Sequence, residues 1–386
     1  MTARTGADAR PIYLDHHATT PVDPRVVEVM TEAMLTGFGN PNSAHAFGRE
    51  AAGRIHRAAV ETARLVGADE DDVRFTTGAS EALNLALNLA AGRIGGRPLR
   101  VTASRIEHSA LLGALTAAVL AGWAEVAWMD PDHAGRISEA EIARGLAGSP
   151  DLVCLMAANN EVGVIQPFEA AARAAHAVGA AILIDATQAA GWVAINQAEL
   201  QADYLVLSAH KIYGPKGVGA LIGPDVGAVE PRADSHVSTP NTPGIVGMGE
   251  ACRLRRLEKG DDGTRVAALR DRLQDRLVAG IPGLVVNGDL SLRLPYSLHI
   301  SVPYVPNDVM VDNLLDTVAL STGAACMSGV DAPSHVLSAM RLEDWRVAGA
   351  LRLSLGRSTT LAEVDSAADA IVAVVARLTP LFRNAA

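Results

Sequence analysis

Between about residues 74 and 223, short apolar runs alternate with longer alanine-rich stretches of helical period. This alternation is typical of βαβ units around a parallel sheet, so we predict an α/β fold. Polar clusters follow three of the apolar runs: 159–161 follow 152–156, Asp185 and Gln188 follow 181–184, and 208–211 follow 204–207. Ligands bind beyond the carboxyl ends of the strands in such sheets, so we expect the three clusters to converge on one site.

The remainder of the chain predicts a smaller α+β unit. We expect strands over 294–301 and 350–354, helices over 249–260, 265–278 and 361–378, and a turn segment over 224–243. We therefore divide the chain into a large domain of residues 15–255 and a small domain formed by residues 1–14 and 256–386.

Composition excludes several classes of protein. The formal charge of −10, from 33 basic and 43 acidic residues, argues against a nucleic-acid-binding surface. The first ten residues lack the apolar stretch of a secretory signal, and the longest apolar run, 110–124, is too short to span a bilayer and predicts a buried helix. The three cysteines show no C-x-x-C spacing, so we expect no disulfide framework, no metal site and a cytoplasmic location.

The lysine at position 211 is unusual because the chain has only three lysines among its 33 basic residues. Lys211 follows the predicted strand over 204–207. A desolvated lysine at a strand end can lose its proton and attack a carbonyl group, which arginine cannot do. A surface lysine that merely follows a strand is the alternative.

Other strand ends suggest what such a lysine would hold. Residues 76–81 form a small-residue turn before a helical stretch, which is either an ordinary helix cap or a phosphate site. Its spacing matches neither a dinucleotide-binding motif nor a P-loop. Asp185 is either solvated or paired with the ring nitrogen of pyridoxal phosphate, in which case Lys211 would bind the cofactor aldehyde as a Schiff base. His108 is structural, or it stacks on the ring or carries protons.

Two kinds of cysteine are expected. Cys154 and Cys252 lie in apolar surroundings and are interpreted as core residues. Cys326 lies in a run of small residues, 321–329, with two glycines that predict a mobile loop. Cys326 is therefore either a buried thiol at a tight corner or a reactive thiol on that loop.

Seven segments, spread in order along nearly the whole chain, resemble the cysteine desulfurases, which are fold-type I, class V aminotransferase-like enzymes that use pyridoxal phosphate. They are YLDHHATTP (13–21), GNPNSAH (39–45), FTTGASE (75–81), NNEVG (159–163), DATQ (185–188), SAHKIYGPKG (208–217) and PSHVL (333–337) together with Cys326.

The resemblance implies a role for each matching residue. Lys211 would hold the cofactor, Asp185 would pair with its ring nitrogen, and His108 would stack on the ring and act in catalysis. The remaining cofactor contacts would be Ala79, Ser80, Asn160, Gln188, Ser208 and His210, with Thr239 reaching the phosphate of the partner subunit in a homodimer. Arg352 and Asn160 would bind the substrate, and Cys326 would be the nucleophile.

The implied reaction removes sulfur from L-cysteine, leaving L-alanine and a persulfide on Cys326 for transfer to an acceptor protein. A selenocysteine lyase, a C–S lyase or another aminotransferase-like enzyme would share Lys211 and Asp185. Residues 231–241 lack the family's glycines and carry His236 where arginine is expected, so a weakly active docking partner in a sulfur-relay complex is a further alternative. The acceptor, whether for iron–sulfur clusters, tRNA thiolation, DNA sulfur modification or a biosynthetic pathway, is not specified by these motifs.

Overall fold

The structure is a computed structural model that describes residues 10–224, 226, 239–323 and 333–383. The strands are β1 Ile12–Tyr13, β2 Val73–Thr76, β3 Leu99–Ser104, β4 Ala124–Met129, β5 Leu152–Cys154, β6 Ala181–Asp185, β7 Tyr204–Ser208, β8 Gly219–Ile222, β9 Val285–Val286, β10 Ser297–Ser301, β11 Val318–Ala319 and β12 Ala350–Ser354. The helices are α1 Pro24–Thr36, α2 Ala46–Val66, α3 Ala79–Gly92, α4 Ser109–Leu120, α5 Glu139–Leu146, α6 Phe168–Ala177, α7 Gln197–Leu200, α8 Thr242–Gly280, α9 Asn307–Leu314, α10 His335–Ala339, α11 Asp344–Ala348 and α12 Leu361–Arg383.

The central sheet contains seven strands within the described ranges, in the order β2-β8-β7-β6-β5-β3-β4. Strands β4, β3, β5, β6 and β7 run parallel, whereas β8 is antiparallel to both of its neighbours. The predicted α/β fold with a mainly parallel sheet is confirmed. Because six strands, all except β8, point the same way, the segments that follow β3, β5, β6 and β7 emerge at one edge of the sheet.

Both faces of this sheet are covered. Val153 and Ile182 point into one apolar core, whereas their chain neighbours Cys154 and Leu183 point into the other. Successive side chains of a strand face opposite sides, so a strand buried on both faces reads as a continuous apolar run rather than an alternating one. Cys154 and Cys252 are both buried free thiols, as expected for core residues.

Helix α8 corrects the prediction of two helices, over 249–260 and 265–278, that follow a turn ending at 243. The structure has one helix from Thr242 to Gly280, which passes through Gly260 and Gly263 without interruption. Packing against α1, α2 and α12 outweighs the roughly 1 kcal/mol cost of each glycine in a helix. The predicted domain boundary at 255/256 lies inside this helix and stays a prediction.

The later part of the chain forms smaller sheets. Strands β12, β10 and β9 pair antiparallel, and β1 pairs with β11 in parallel. The strand predicted over 350–354 is confirmed, whereas the one predicted over 294–301 begins only at Ser297. The terminal helix is confirmed and continues to Arg383. The β10–β12 register places His299 opposite Arg352.

The helix predicted over 110–124 is α4, which ends at Leu120. The chain then turns at Gly122, whose φ of 76° lies in the left-handed region that glycine adopts without strain, and enters β4 at Ala124. Among the described helices, none combines the length and the apolar character needed to span a membrane.

Candidate active site

A cavity of about 530 Å³ lies at the carboxyl edge of the parallel strands. Nine of the residues predicted to hold a cofactor line it: Ala79, Ser80, His108, Asn160, Asp185, Gln188, Ser208, His210 and Lys211. These residues come from the ends of β3, β5, β6 and β7 and from the start of α3. The structure therefore confirms that residues from all three strand-end clusters meet at one cavity.

Lys211 enters the cavity from a single 3₁₀ turn, Ala209–Lys211, that directly follows β7. Its Nζ donates to the carbonyl oxygens of His17 and Ala18, the latter at 3.0 Å. Segment 17–20 is tied to the same turn, since the Thr20 hydroxyl donates to the His210 carbonyl at 2.9 Å. The N-terminal segment thus forms the wall that orients the lysine, a role that its motif alone did not reveal.

Asp185 closes β6 and is buried. The backbone N–H of Thr187 donates to its Oδ1 at 2.9 Å. Its Oδ2 accepts no hydrogen bond from the described residues, although the carboxyl group lines the cavity. A buried carboxylate with one oxygen held and the other directed to a cavity suits a cationic ring N–H.

His108 is the N-cap of α4, and its Nδ1 accepts a hydrogen bond from the Ala110 N–H at 3.1 Å. A neutral ring held in this way carries its proton on Nε2. Burial lowers the pKa of His108, and the positive charge of Lys211 adds to this, although Asp185 opposes both. His108 is thus a neutral imidazole of fixed tautomer at the cavity wall.

The start of α3 also lines the cavity. Its N-cap, Gly78, supplies no side-chain hydrogen bond to the first turn. The Glu81 carboxylate instead accepts from the N–H and hydroxyl of Thr77, at 2.6 and 2.7 Å. The N–H groups of the first helical turn are therefore available to an anion, with the helix dipole in the favourable direction.

Ser208 pairs with Gly219, which lies against Gly78 at the start of α3, and both Ser208 and His210 line the cavity. The Nδ1 of His210 lies 3.2 Å from the Thr19 hydroxyl, and burial lowers the pKa of His210 to about 4. Lys216 lines the cavity as well. This part of the cavity therefore combines backbone donors, hydroxyls and an imidazole, a donor set suited to a phosphate group.

Pyridoxal phosphate fits this arrangement on three observations. An amine and a carboxylate face one cavity, and an uncapped helix terminus lies at its end. In addition, the Oδ1 of Asn160 is buried and has no hydrogen-bond partner among the described residues. A buried polar atom without a partner costs about 1–3 kcal/mol, which a polar ligand in the cavity would recover.

Arg352 does not line the cavity but lies behind Asn160. Its guanidinium donates to the Asn160 carbonyl at 3.2 Å and pairs with Asp15 at 2.9 Å. The side chain is buried, and its Nε has no partner among the described residues. Asp15 was missed as the partner of Arg352, although it lies in the quoted segment 13–21. The carboxylate-binding role of Arg352 stays a prediction.

Two buried glutamates, Glu107 and Glu161, received no role in the sequence analysis, although the 159–161 cluster includes Glu161. Burial raises the pKa of Glu107 to about 8, and the nearby charge of Asp185 acts in the same direction. Its Oε1 accepts from the Ser104 hydroxyl at 2.6 Å and from the Met156 N–H at 2.9 Å. Burial likewise raises the pKa of Glu161, which accepts a hydrogen bond from Ser334. Each glutamate follows a strand and is the chain neighbour of a predicted site residue, His108 or Asn160. This position is visible in the sequence and could have identified both glutamates.

Three predicted residues fall elsewhere. Cys326 and His236 lie outside the described residues, as does most of the segment 231–241. Thr239 is described and exposed, and it is not among the residues that line the cavity of its own chain.

Comparison with known proteins agrees with this geometry. Residues 12–366 match the model of the family Aminotransferase class-V, so the chain belongs to that class. It is 40% identical over 385 residues to Cysteine desulfurase IscS of Anaeromyxobacter sp. (strain Fw109-5), covering 96% of this chain and 95% of the relative. It is 41% identical over 395 residues to Cysteine desulfurase of Frankia sp. (strain EuIK1), covering 97% and 93%. The chain therefore belongs to the cysteine desulfurase family.

Solved structures show the same fold. A NifS-like protein superposes with a TM-score of 0.87 at 30% identity, covering 96% of this chain and 100% of the other. DndA from Streptomyces lividans superposes with a TM-score of 0.73 at 32% identity, covering 91% and 99%.

Proposed function

We propose that this protein is a pyridoxal-phosphate-dependent cysteine desulfurase that converts L-cysteine to L-alanine and leaves a persulfide on Cys326. The observation that carries the proposal is the single cavity in which Lys211 and Asp185 meet the uncapped start of α3. The proposal is also supported by 40% sequence identity to a cysteine desulfurase over 96% of the chain.

Each residue has a distinct task in this proposal. Lys211 would hold the cofactor aldehyde, and its amine would return a proton to the substrate. Asp185 would keep the ring nitrogen protonated, and Ala79, Ser80, Ser208 and His210 would hold the phosphate. Pyridoxal phosphate, when bound, supplies an electron sink that stabilises negative charge on the substrate Cα. His108 is a neutral imidazole with its proton on Nε2, which suits it to move a proton near this carbon.

The sulfur step needs a thiolate and no external oxidant. Cys326 attacks the sulfur of cysteine, so the substrate C–S bond breaks as an S–S bond forms, and the substrate Cβ gains a proton to become the methyl group of alanine. Arg352 and Asn160 are proposed to hold the substrate carboxylate. Because Arg352 is already paired with Asp15, the carboxylate would have to share or displace that partner.

The proposal includes a homodimer, a sulfur-acceptor protein and a cytoplasmic location. The exposed Thr239 does not line its own chain's cavity, which supports a contact with the cofactor phosphate of the partner subunit. Such cross-subunit closure requires two copies of the chain.

The deciding experiment measures sulfide and alanine released from L-cysteine in the presence of a reductant. Wild-type protein should form both in equal amounts. Lys211→Ala should form neither, and Cys326→Ser should retain the cofactor and its spectral response to cysteine without releasing sulfide. Desulfuration by Cys326→Ser at the wild-type rate would instead support a C–S lyase.

A further inference from the structure

One side chain of the cavity, Gln188, is fixed by a network that the reaction above does not use. The Nε2 of Gln188 lies 3.1 Å from the carbonyl oxygen of His17, and its Oε1 lies 3.2 Å from the Nδ1 of His17. The hydroxyl of Tyr296 lies 2.7 Å from the same Oε1 and 2.9 Å from the Gln188 carbonyl. All three residues are buried.

These contacts determine which way the amide faces. The His17 carbonyl can only accept, so the amide group beside it must be the NH₂. The amide oxygen then faces Tyr296 and His17, which act as donors through the tyrosine O–H and the Nδ1–H. Burial lowers the pKa of His17 far below its ordinary value and raises that of Tyr296, so both rings are neutral. The second hydrogen of Nε2 has no acceptor among the described residues, although Gln188 lines the cavity.

The same network reaches Lys211. The His17 carbonyl accepts from both Gln188 and the lysine Nζ, so the two side chains share one acceptor. The Tyr296 ring is held between His17 at 4.8 Å and Trp192 at 4.9 Å, measured between ring centroids. The Arg255 guanidinium lies 4.3 Å from the Trp192 ring and donates to the Gly191 carbonyl. The stack therefore anchors Tyr296 to helix α8, outside the cavity.

We propose that Tyr296, supported by His17, is a positioning residue that aims the Gln188 amide N–H at the oxygen of the cofactor ring and thereby sets the protonation of the lysine–cofactor link. The inference rests on the proposed function, because it requires the cofactor in this cavity. Tyr296 itself touches neither substrate nor cofactor in this assignment and acts through Gln188.

The test is Tyr296→Phe, which removes one hydroxyl and keeps the stacked ring. An oxygen that loses its donor becomes more basic, so the pH midpoint of the cofactor's absorbance change should rise by about 0.5 to 1 unit. Tyr204→Phe is the matched control, because its hydroxyl is also buried but has no hydrogen-bond partner among the described residues. The titratable groups that line the cavity, Asp185, Glu81, His108, His210, Lys211 and Lys216, are unchanged in both variants, as is His17 beside Gln188.

A second background separates positioning from a general structural effect. The double variant Gln188→Ala, Tyr296→Phe should have the same absorbance midpoint as the single variant Gln188→Ala. A midpoint unchanged by Tyr296→Phe in otherwise wild-type protein overturns the inference, as does a shift that persists without Gln188. Both results leave sulfide release by the wild-type enzyme, and hence the proposed function, intact. A wild-type protein without a cofactor absorbance band would overturn the proposed function and this inference together.

Discussion

Glu107 should make the stability of this protein depend on pH in an unusual direction. Its carboxyl group is completely buried, its Oε2 has no hydrogen-bond partner among the described residues, and its pKa rises from 4.5 to about 8. In the unfolded chain the same group ionises near its ordinary pKa. Between these two values the folded state binds more protons than the unfolded state, so stability must fall as the pH rises from about 4.5 to about 8.

The size of the effect follows from the same two pKa values. Each pH unit between them costs about 1.36 kcal/mol, so the Glu107 contribution should weaken stability by about 2.5 kcal/mol between pH 5 and pH 7. Glu107→Gln keeps the acceptor used by Ser104 and Met156 but cannot ionise. Its new NH₂ lacks an acceptor and costs about 1–3 kcal/mol at every pH, so the slope with pH, rather than the absolute stability, carries the test.

The assay is urea unfolding of cofactor-free protein, followed by tryptophan fluorescence at several pH values. The difference in unfolding free energy between Glu107→Gln and wild type should shift by about 2.5 kcal/mol in favour of the variant from pH 5 to pH 7. Glu28→Gln, at an exposed position of α1, is the control and should follow the wild-type profile. Parallel profiles for Glu107→Gln and wild type would refute a neutral buried carboxyl group at this position.

Three further outcomes are expected. Cys326→Ser should keep the cofactor band and its response to L-cysteine while persulfide, detected by alkylation and mass spectrometry, disappears; persulfide elsewhere in that variant would reassign the nucleophile. Thr239→Ala should weaken cofactor retention about ten-fold by loss of a charge-assisted hydrogen bond. Mixing Thr239→Ala chains with Lys211→Ala chains should restore one tight cofactor site per heterodimer only if each site is shared between subunits. Gly163→Ala should lower stability by several kcal/mol in thermal unfolding. The reason is that φ of Gly163 is 75° and an added Cβ would lie 2.0 Å from the Ser297 Oγ. A variant as stable as wild type would contradict this packing.

The sequence predicted the parts of the site that depend on strand ends. Asp185, Ser208 and Lys211 follow apolar runs, and a parallel sheet brings such positions to one edge whatever the details of packing. Helix α8 was harder to predict, because Gly260 and Gly263 resemble a helix break when the packing partners on α1, α2 and α12 are unknown.

Contacts between distant segments could not be predicted from local patterns. Tyr296 is 108 positions away from Gln188, and Asp15 is 337 positions away from Arg352. Neither tyrosine nor aspartate has a periodicity or spacing that identifies such a partner, since the pairing arises only when β10 and β12 pack beside the central sheet. The sequence analysis therefore missed Tyr296 and Asp15, the polar residues that contact Gln188 and Arg352.

The protonation state of the half-buried His210 affects how the phosphate is held. Burial lowers the pKa of His210 to about 4, and the charges of Lys211 and Lys216 act in the same direction. His210 is therefore neutral at the end of the cavity where the phosphate is proposed to bind, until an anion arrives to favour its charged form. Much of the attraction must then come from the N–H groups of α3, which need no ionisation, and from the hydroxyl of Ser208. Fixed dipoles inside a cavity are screened by salt far less than exposed charges. Cofactor retention should consequently vary little with ionic strength, apart from the contribution of the exposed Lys216.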